Sequence, residues 1–284
     1  MYRIVEKKEL SPVSFRMWVE APRVAKKAQA GQFVIIRLGE HSERIPLTIA
    51  DFDRNKGTLA LFVQIVGKSS DELSHLQSGD SLLDLVGPLG TPTHIEKVGN
   101  FIGVGGGVGV APLYPITRAM KQAGNHVTTI LGARDKSLII LEDEMRQVSD
   151  QVIMTTNDGS AGIKGLVIDP LKKMLEEGKK IDLVFAIGPM VMMRAVCDTT
   201  RPYKVKTMVS LDTMMLDGTG MCGACRVNIG SEVKFTCVDG PDFDGHLVNF
   251  DELMIRQKRF ATYEKEAWQK FKAEHEKEGC KCRQ

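Results

Sequence analysis

The chain has 284 residues, 43% of them apolar and 26% charged, with a net charge of +2. That is enough for two ordinary domains and fits a folded globular protein, not a disordered one. The near-neutral balance gives no support to nucleic-acid binding. The most apolar stretch, residues 101–116, is broken by five Gly and two Pro, which argues against a membrane span. The opening residues "MYRIVEKKEL" carry charges where a secretory leader would be apolar, so a cytoplasmic location is expected.

In chain order, "RIVEKKEL", "SFRMWVEAP", "GQFVIIRLG", "PLTIADFD", "GTLALFVQIV" and "SLLDLVGPLG" read as short strands separated by Gly, Pro and polar turns. Their alternation and spacing predict an antiparallel barrel or sandwich. One helix is expected within it, over residues 69–76, with Ser69 as cap and Glu72 completing a capping box. From Asn100 the rhythm changes. Strands "FIGVG", "HVTTILGA", "QVIMTT" and "DLVFAIG" alternate with helices predicted over 112–123, 140–148, 169–177 and 189–197. Strand–helix alternation predicts a parallel sheet covered on both faces. The final segment is rich in Lys and Glu and reads as surface helix. Its Leu253, Phe260, Tyr263, Trp268 and Phe271 would either pack on their own domain or form a docking arm.

Several stretches carry chemistry. "FIGVGGGVGVAP" is a strand, a Gly-rich turn and a helix start. Gly103, Gly105, Gly106, Gly107 and Gly109 would let a phosphate approach the backbone N–H groups of the helix N-terminus. "AIGPMVMM" puts Gly188 and Pro189 at the C-terminal end of the fourth strand, the edge where open parallel sheets bind ligands. "ERIPLTIAD" holds Arg44, able to clamp a phosphate, and "VGKSSDEL" offers a second turn running into a helix. Arg134 would meet a 2′-phosphate or serve only as surface charge. No acid–base triad is evident.

In "LDGTGMCGAC", Cys222 and Cys225 are two residues apart, and Cys237 follows after eleven more. A plant-type iron–sulfur loop reads C-x4-C-x2-C with a distant fourth Cys. Here Asp217 stands in the first slot. Three readings are open: a cluster with a carboxylate ligand, a zinc site completed by Asp217 or His246, or a cluster whose fourth ligand is Cys197 or a tail cysteine. Cys197 otherwise reads as a small core residue, and Cys280 and Cys282 as exposed thiols.

Taken in order, the R-x-P-[LI]-[ST] barrel segment, "GVGGGVGVAP", "GPMVMM" and the cysteine loop resemble the ferredoxin–NADP reductase superfamily over nearly the whole chain. The branch it resembles includes the electron-transfer subunit of dihydroorotate dehydrogenase. Within that branch it is most similar to small subunits of NADH-dependent ferredoxin:NADP oxidoreductases, also described as sulfide dehydrogenase subunits. The resemblance implies an FAD-binding β-barrel (1–98), an NAD(H)-binding α/β domain (99–211), a [2Fe–2S] loop (212–246) and a helical tail (247–284). It places Arg44, Pro46, Leu47 and Thr48 on FAD, and Gly67, Ser69 and Ser70 at a second FAD phosphate turn. It places Gly105, Gly106, Gly107 and Gly109 on the dinucleotide, and Gly188, Pro189 and Met190 near the nicotinamide. "TNDGSAGIKG", with Asp158, matches a family segment of cofactor contact or turn formation. Asp217, Cys222, Cys225 and Cys237 become the cluster ligands. The implied partner is a larger iron–sulfur flavoprotein with an NADP(H) site, and the implied activity is electron bifurcation to ferredoxin. An all-cysteine dihydroorotate dehydrogenase subunit is the alternative, and Asp217 counts against it.

Overall fold

The structure, a computed structural model, describes residues 1–281, with side chains to Glu274. The side chain of Cys280, and Cys282, lie outside the described residues.

The N-terminal part is built from β1 (Tyr2–Ser11), β2 (Ser14–Glu20), α1 (Pro22–Ala25), β3 (Phe33–Arg37), β4 (Ile45–Asp53), β5 (Thr58–Gln64), α2 (Lys68–Ser74), β6 (Ser81–Leu82) and β7 (Asp84–Leu89). The strands form one antiparallel sheet in the order β6-β1-β2-β5-β4-β3-β7. Its two edge strands are separated in sequence by Leu83 alone, so the sheet curls until its edges meet. The expected strand "SLLDLVGPLG" is thus two strands, divided where the chain passes from one edge to the other. Alternate residues point inward: Met17 and Val19, Val34 and Ile36, Leu59 and Leu61 are fully buried. Each such side chain contributes about 1.5–3 kcal/mol. Helix α2 begins one residue earlier than expected, with Gly67 as cap. The hydroxyl of Ser70 accepts from the N–H groups of Val66 and Gly67, at 2.9 and 3.0 Å.

The second sheet comprises β8 (Asn100–Gly106), β9 (His126–Ala133), β10 (Gln151–Thr156), β11 (Ile163–Lys164), β12 (Leu183–Ile187), β13 (Thr207–Ser210) and β16 (Asp242–Asp244). The order is β11-β10-β9-β8-β12-β13-β16, parallel except for β16. Helices α3 (Val110–Gln122), α4 (Glu142–Val148), α5 (Ile168–Glu176) and α6 (Met190–Thr200) connect the strands. The period-two pattern explains the two layers. Phe101, Phe185 and Ile187 pack under Leu113 and Ile116 of α3, while Ile102, Val184 and Ala186 face Leu171, Met193 and Val196 of α5 and α6. Order runs outward from β8 in both directions, which makes the gap between β8 and β12 the topological switch point. The four anticipated parallel strands are present. Two further parallel strands, the short β11 and β13, were not anticipated, nor was β16, which belongs to the cysteine segment yet pairs with β13.

That segment also contains a hairpin, β14 (Arg226–Ile229) with β15 (Glu232–Phe235). The tail forms α7 (Phe250–Gln257) and α8 (Ala261–Lys281). Leu253 is buried in the core of the parallel-sheet domain. Helix α8 turns back to the barrel, where Trp268 Nε1 donates to Asp71 at 2.5 Å and Phe271 is buried. Phe260 and Tyr263 stay exposed. The tail therefore packs on its own chain at three of its five large apolar residues. Among the described residues, no helix is long and apolar enough to cross a membrane.

The chain leaving the barrel is stitched to the cysteine segment. Thr91 N donates to Gly240 O at 2.7 Å, and Thr93 Oγ1 donates to Asp242 at 2.5 Å. Burial pushes the Asp242 carboxyl up to about 6. Its ordinary value is about 3.9, so the folded chain binds the proton more tightly than the unfolded one. Stability should therefore fall as pH rises from about 4 through 6 and then level off. Asp242→Asn should flatten that part of the curve, and urea midpoints measured from pH 4 to 8 check it.

Candidate functional site

A cleft of about 1290 Å³ runs between the barrel and the parallel sheet. Pro46, Leu47 and Thr48 of β4 and Phe33 of β3 form its barrel wall. Gly106 at the end of β8 with Gly107 and Gly109 beyond it, and Gly188, Pro189 and Met190 after β12, form the sheet wall. The expected flavin and dinucleotide segments thus meet in one space at the switch point. Close approach explains the glycines. A Cβ on Gly109 would lie 2.4 Å from the carbonyl oxygen of Ile187, and one on Gly188 would lie 3.1 Å from the backbone of Gly106. The turn over Gly107–Gly109 opens helix α3 without a side-chain cap, leaving N–H groups and the positive dipole end toward the cleft.

Other expected residues lie elsewhere. Gly105 is inside β8, packed on Val110 and Leu113. Arg44 is exposed at the end of a small neighbouring pocket of about 60 Å³, which it lines together with Arg37, Asp84 and Asp217. Gly67, Ser69 and Ser70 do not line the cleft; the Ser70 hydroxyl caps α2, and Ser69 donates to Glu43. Asp158 is absorbed in its own turn, accepting from Ser160 N at 2.9 Å and Ser160 Oγ at 2.7 Å. Its neighbour Asn157 does face the cleft, as does Arg134.

The tail contributes residues that sequence reading missed. Met254, Gln257 and Lys258 line the cleft, and Gln257 Nε2 donates to the carbonyl of Asp212 at 2.9 Å. Asp212 also lines it. No local signal marks these positions, because α7 comes back to the cleft only through tertiary packing.

The cysteine loop presents donors in two pairs. In the first, the thiol of exposed Cys222 donates to Asp217 Oδ1 at 3.4 Å. In the second, buried Cys225 and Cys237 have their sulfurs 3.2 Å apart. The Asp217 carboxylate also accepts from the N–H groups of Thr219, Met221 and Cys222 at 2.9–3.1 Å. These bonds, that of Thr219 first, hold its carboxyl at about 2. Burial, and then the Cys225 thiol, push Cys237 up to about 12, so metal binding here must displace a proton.

A zinc ion needs four donors around one point. Among the described residues no three His, Cys, Asp or Glu side chains converge in that way. Two separate pairs match a two-iron cluster, which takes two protein ligands per iron. Two of the rival fourth ligands are engaged elsewhere, and the side chains of the tail cysteines lie outside the described residues. Cys197 is buried in the parallel-sheet core, and His246 Nε2 shares a hydrogen bond with Thr200 Oγ1 at 3.0 Å. The residues present therefore fit a [2Fe–2S] cluster better than zinc.

Phe33 and Met215 link the two sites. Both line the cleft, and both pack with Ile35 in the small apolar core that contains Cys225 and Cys237. Gly218 is required behind them. It has a left-handed φ of +73°, and a Cβ there would lie 2.7 Å from Ile35 and from Leu89.

A curled antiparallel barrel, a parallel sheet and a shared cleft at the switch point define an oxidoreductase subunit of the ferredoxin–NADP reductase type. Residues 104–198 match the model of the oxidoreductase NAD-binding domain, and residues 212–249 match the iron–sulfur cluster binding domain of dihydroorotate dehydrogenase B. The chain is 48% identical to the dihydroorotate dehydrogenase B electron transfer subunit homolog of Thermotoga maritima, across 94% of each chain. It is 34% identical to the electron transfer subunit of that enzyme from Desulforamulus reducens, over 82% of this chain and 92% of the relative. It belongs to this family of electron-transfer subunits. It also superposes, with a TM-score of 0.91 and 47% identity, on a chain of an NADH-dependent reduced ferredoxin-NADP oxidoreductase solved for insights into flavin-based electron bifurcation. That match covers 95% of this chain and 98% of the other.

Gly109→Ala should test the close approach of the two loops. The Ile187 carbonyl is backbone and cannot swing aside, so overpacking should cost about 1–3 kcal/mol. Equilibrium denaturation reads that loss, and NADH titration should show weakened binding.

Proposed function

We propose that this chain is an electron-transfer flavoprotein subunit that exchanges electrons with NAD(H) through FAD and a [2Fe–2S] cluster. The observation that carries the reading is the wall of Phe33 and Met215, which is shared by the cofactor cleft and the buried cysteine pair. Bound FAD supplies the conversion between the hydride pair of NADH and single electrons. The chain's own part is to bind, orient and exclude water. Pro46, Leu47 and Thr48 hold FAD from the barrel side, with Arg44 toward its phosphates. Gly67, Ser69 and Ser70 contribute by the backbone of their turn, since both hydroxyls are engaged. Gly106, Gly107 and Gly109 present the nest and dipole of α3 to the NAD(H) pyrophosphate, and Gly105 contributes from within β8 by letting α3 pack close beneath them. Gly188, Pro189 and Met190 border the nicotinamide, and Asp158 shapes the turn that presents Asn157. The four units are assigned as 1–98, 99–211, 212–246 and 247–284.

Asp217 and Cys222 would hold one iron, and Cys225 and Cys237 the other. The carboxylate needs no proton removed above about pH 2, and backbone N–H groups already aim it at its place. The larger partner in this reading is an iron–sulfur flavoprotein with an NADP(H) site. The complex bifurcates electrons toward ferredoxin in the cytoplasm, without a membrane or nucleic-acid partner. The 47% identity to a chain of the bifurcating oxidoreductase supports this. The dihydroorotate dehydrogenase role borne in the names of other relatives is the second reading, with Asp217 against it.

Purified aerobically, the chain should be yellow and should lose its flavin absorbance on anaerobic addition of NADH; a colourless chain inert to NADH would sink the proposal. Asp217→Ala should lower iron and acid-labile sulfide per chain, and Asp217→Cys should restore both with an altered EPR spectrum. Full cluster content in Asp217→Ala would remove Asp217 from the ligand set.

A further inference from the structure

Arg256 belongs to α7, beyond residues 212–249 that match the cluster-binding family. It nevertheless reaches into the cysteine loop. Its Nη2 donates to the carbonyl oxygen of Ala224 at 3.2 Å, and Ala224 lies between Cys222 and Cys225. The side chain is half-buried. Burial, then the charges of Arg226 and Arg259, lower its pKa, but an Arg stays protonated at neutral pH. Among the described residues no carboxylate forms an ion pair with it. Glu252, the acid that acts on it, is itself hydrogen-bonded to Asn228. The helix thus carries a partly desolvated cation, with two more cations near it, against the loop that holds the cysteines. Such an arrangement is unfavourable unless an anion faces it.

We propose that Arg256 is a positioning residue for the [2Fe–2S] site: it clamps the Cys222–Cys225 loop through Ala224 and raises the reduction potential of the cluster by its positive charge. This rests on the cluster reading given above. A two-iron cluster with three thiolate ligands and one carboxylate is anionic when oxidised and gains a further negative charge on reduction. A fixed cation beside it therefore favours the reduced form. Net charge and hydrogen bonding around the ligands are general determinants of such potentials. Partial burial keeps the charge effective where a surface charge would be screened. The clamp has a mechanical side as well. The Ala224 carbonyl is fixed by a charged donor from another element, which orients Cys225 from outside its own loop.

The test is an EPR-monitored redox titration of the purified, cluster-loaded chain and of its variants. Arg256→Gln should move the midpoint potential to more negative values with iron and acid-labile sulfide unchanged. Arg256→Lys should keep it near that of the unsubstituted chain. Arg259→Gln, at an exposed neighbour, should shift it less, and that smaller shift should vanish at high salt while the Arg256→Gln shift persists. An unchanged potential in Arg256→Gln, or an equal shift in Arg259→Gln, would overturn the assignment. If Arg256→Gln loses its cluster, Arg256→Lys decides. Retention there supports the charged clamp, and loss in both reduces Arg256 to packing and overturns it. An unsubstituted chain without any [2Fe–2S] signal would defeat the cluster reading itself, and this shows before any substitution is made.

Discussion

The packing of Cys225 and Cys237 against β3 of the barrel is the constraint on which the rest depends. The two sulfurs share a small apolar core with Phe33, Ile35 and Met215, although Ile35 and Cys225 are far apart in sequence. To bring them there, the chain must pass Ile35 and Leu89 at a point where no Cβ fits, and Gly218 occupies it. The cysteine segment is consequently tied into both larger units. It adds β16 to the edge of the parallel sheet and takes hydrogen bonds from Thr91 and Thr93 of the barrel exit. The relative placement of barrel and sheet, and so the shape of the cleft, is held partly by the segment that presents the metal donors.

The same economy governs the switch point. Glycines after β8 and β12 are required because two backbones approach one another within van der Waals distance. The uncovered N–H groups of α3 follow from that geometry, because a side chain large enough to cap them would collide with the opposite loop. Steric necessity and anion binding therefore select the same residue type at the same place. This is why a Gly-rich run between a buried strand and a helix carries a functional signal even when its spacing departs from the usual dinucleotide fingerprint.

What was legible in the sequence was local. Strands with alternating burial, the four-fold strand–helix rhythm and the Asp217–Cys222–Cys225–Cys237 spacing all depend on periods of a few residues. Strand β13 was missed because four residues, two of them fully buried, carry too little alternation to stand out. Strand β16, of three residues, exists only because β13 offers a free edge. Ser69 and Ser70 resemble phosphate donors in sequence, but only the fold shows both hydroxyls engaged. Gln257 and Lys258 border the cleft because α7 folds back on it, and no spacing rule reaches that far. Trp268 and Phe271 looked like a possible docking arm because nothing in a linear pattern shows that α8 returns to α2.

The two donor pairs differ in a way that gives the site a direction. Cys225 and Cys237 are 1% exposed, lie against the cleft wall, and have a thiol whose proton is held up to about 12. Asp217 and Cys222 lie at the outer end, with a carboxyl held down to about 2 by N–H donors and with Leu216 and Met221 exposed beside them. Under the proposed function, the buried pair would hold the iron on the cleft side and the outer pair the iron on the exposed side, which would supply a path for single electrons between cleft and surface. An outer thiol would be open to oxidation whenever the metal is absent, whereas a carboxylate is not. The substitution of Asp for Cys falls at the exposed end of that path, while the pair that adjoins the cleft keeps both its sulfurs.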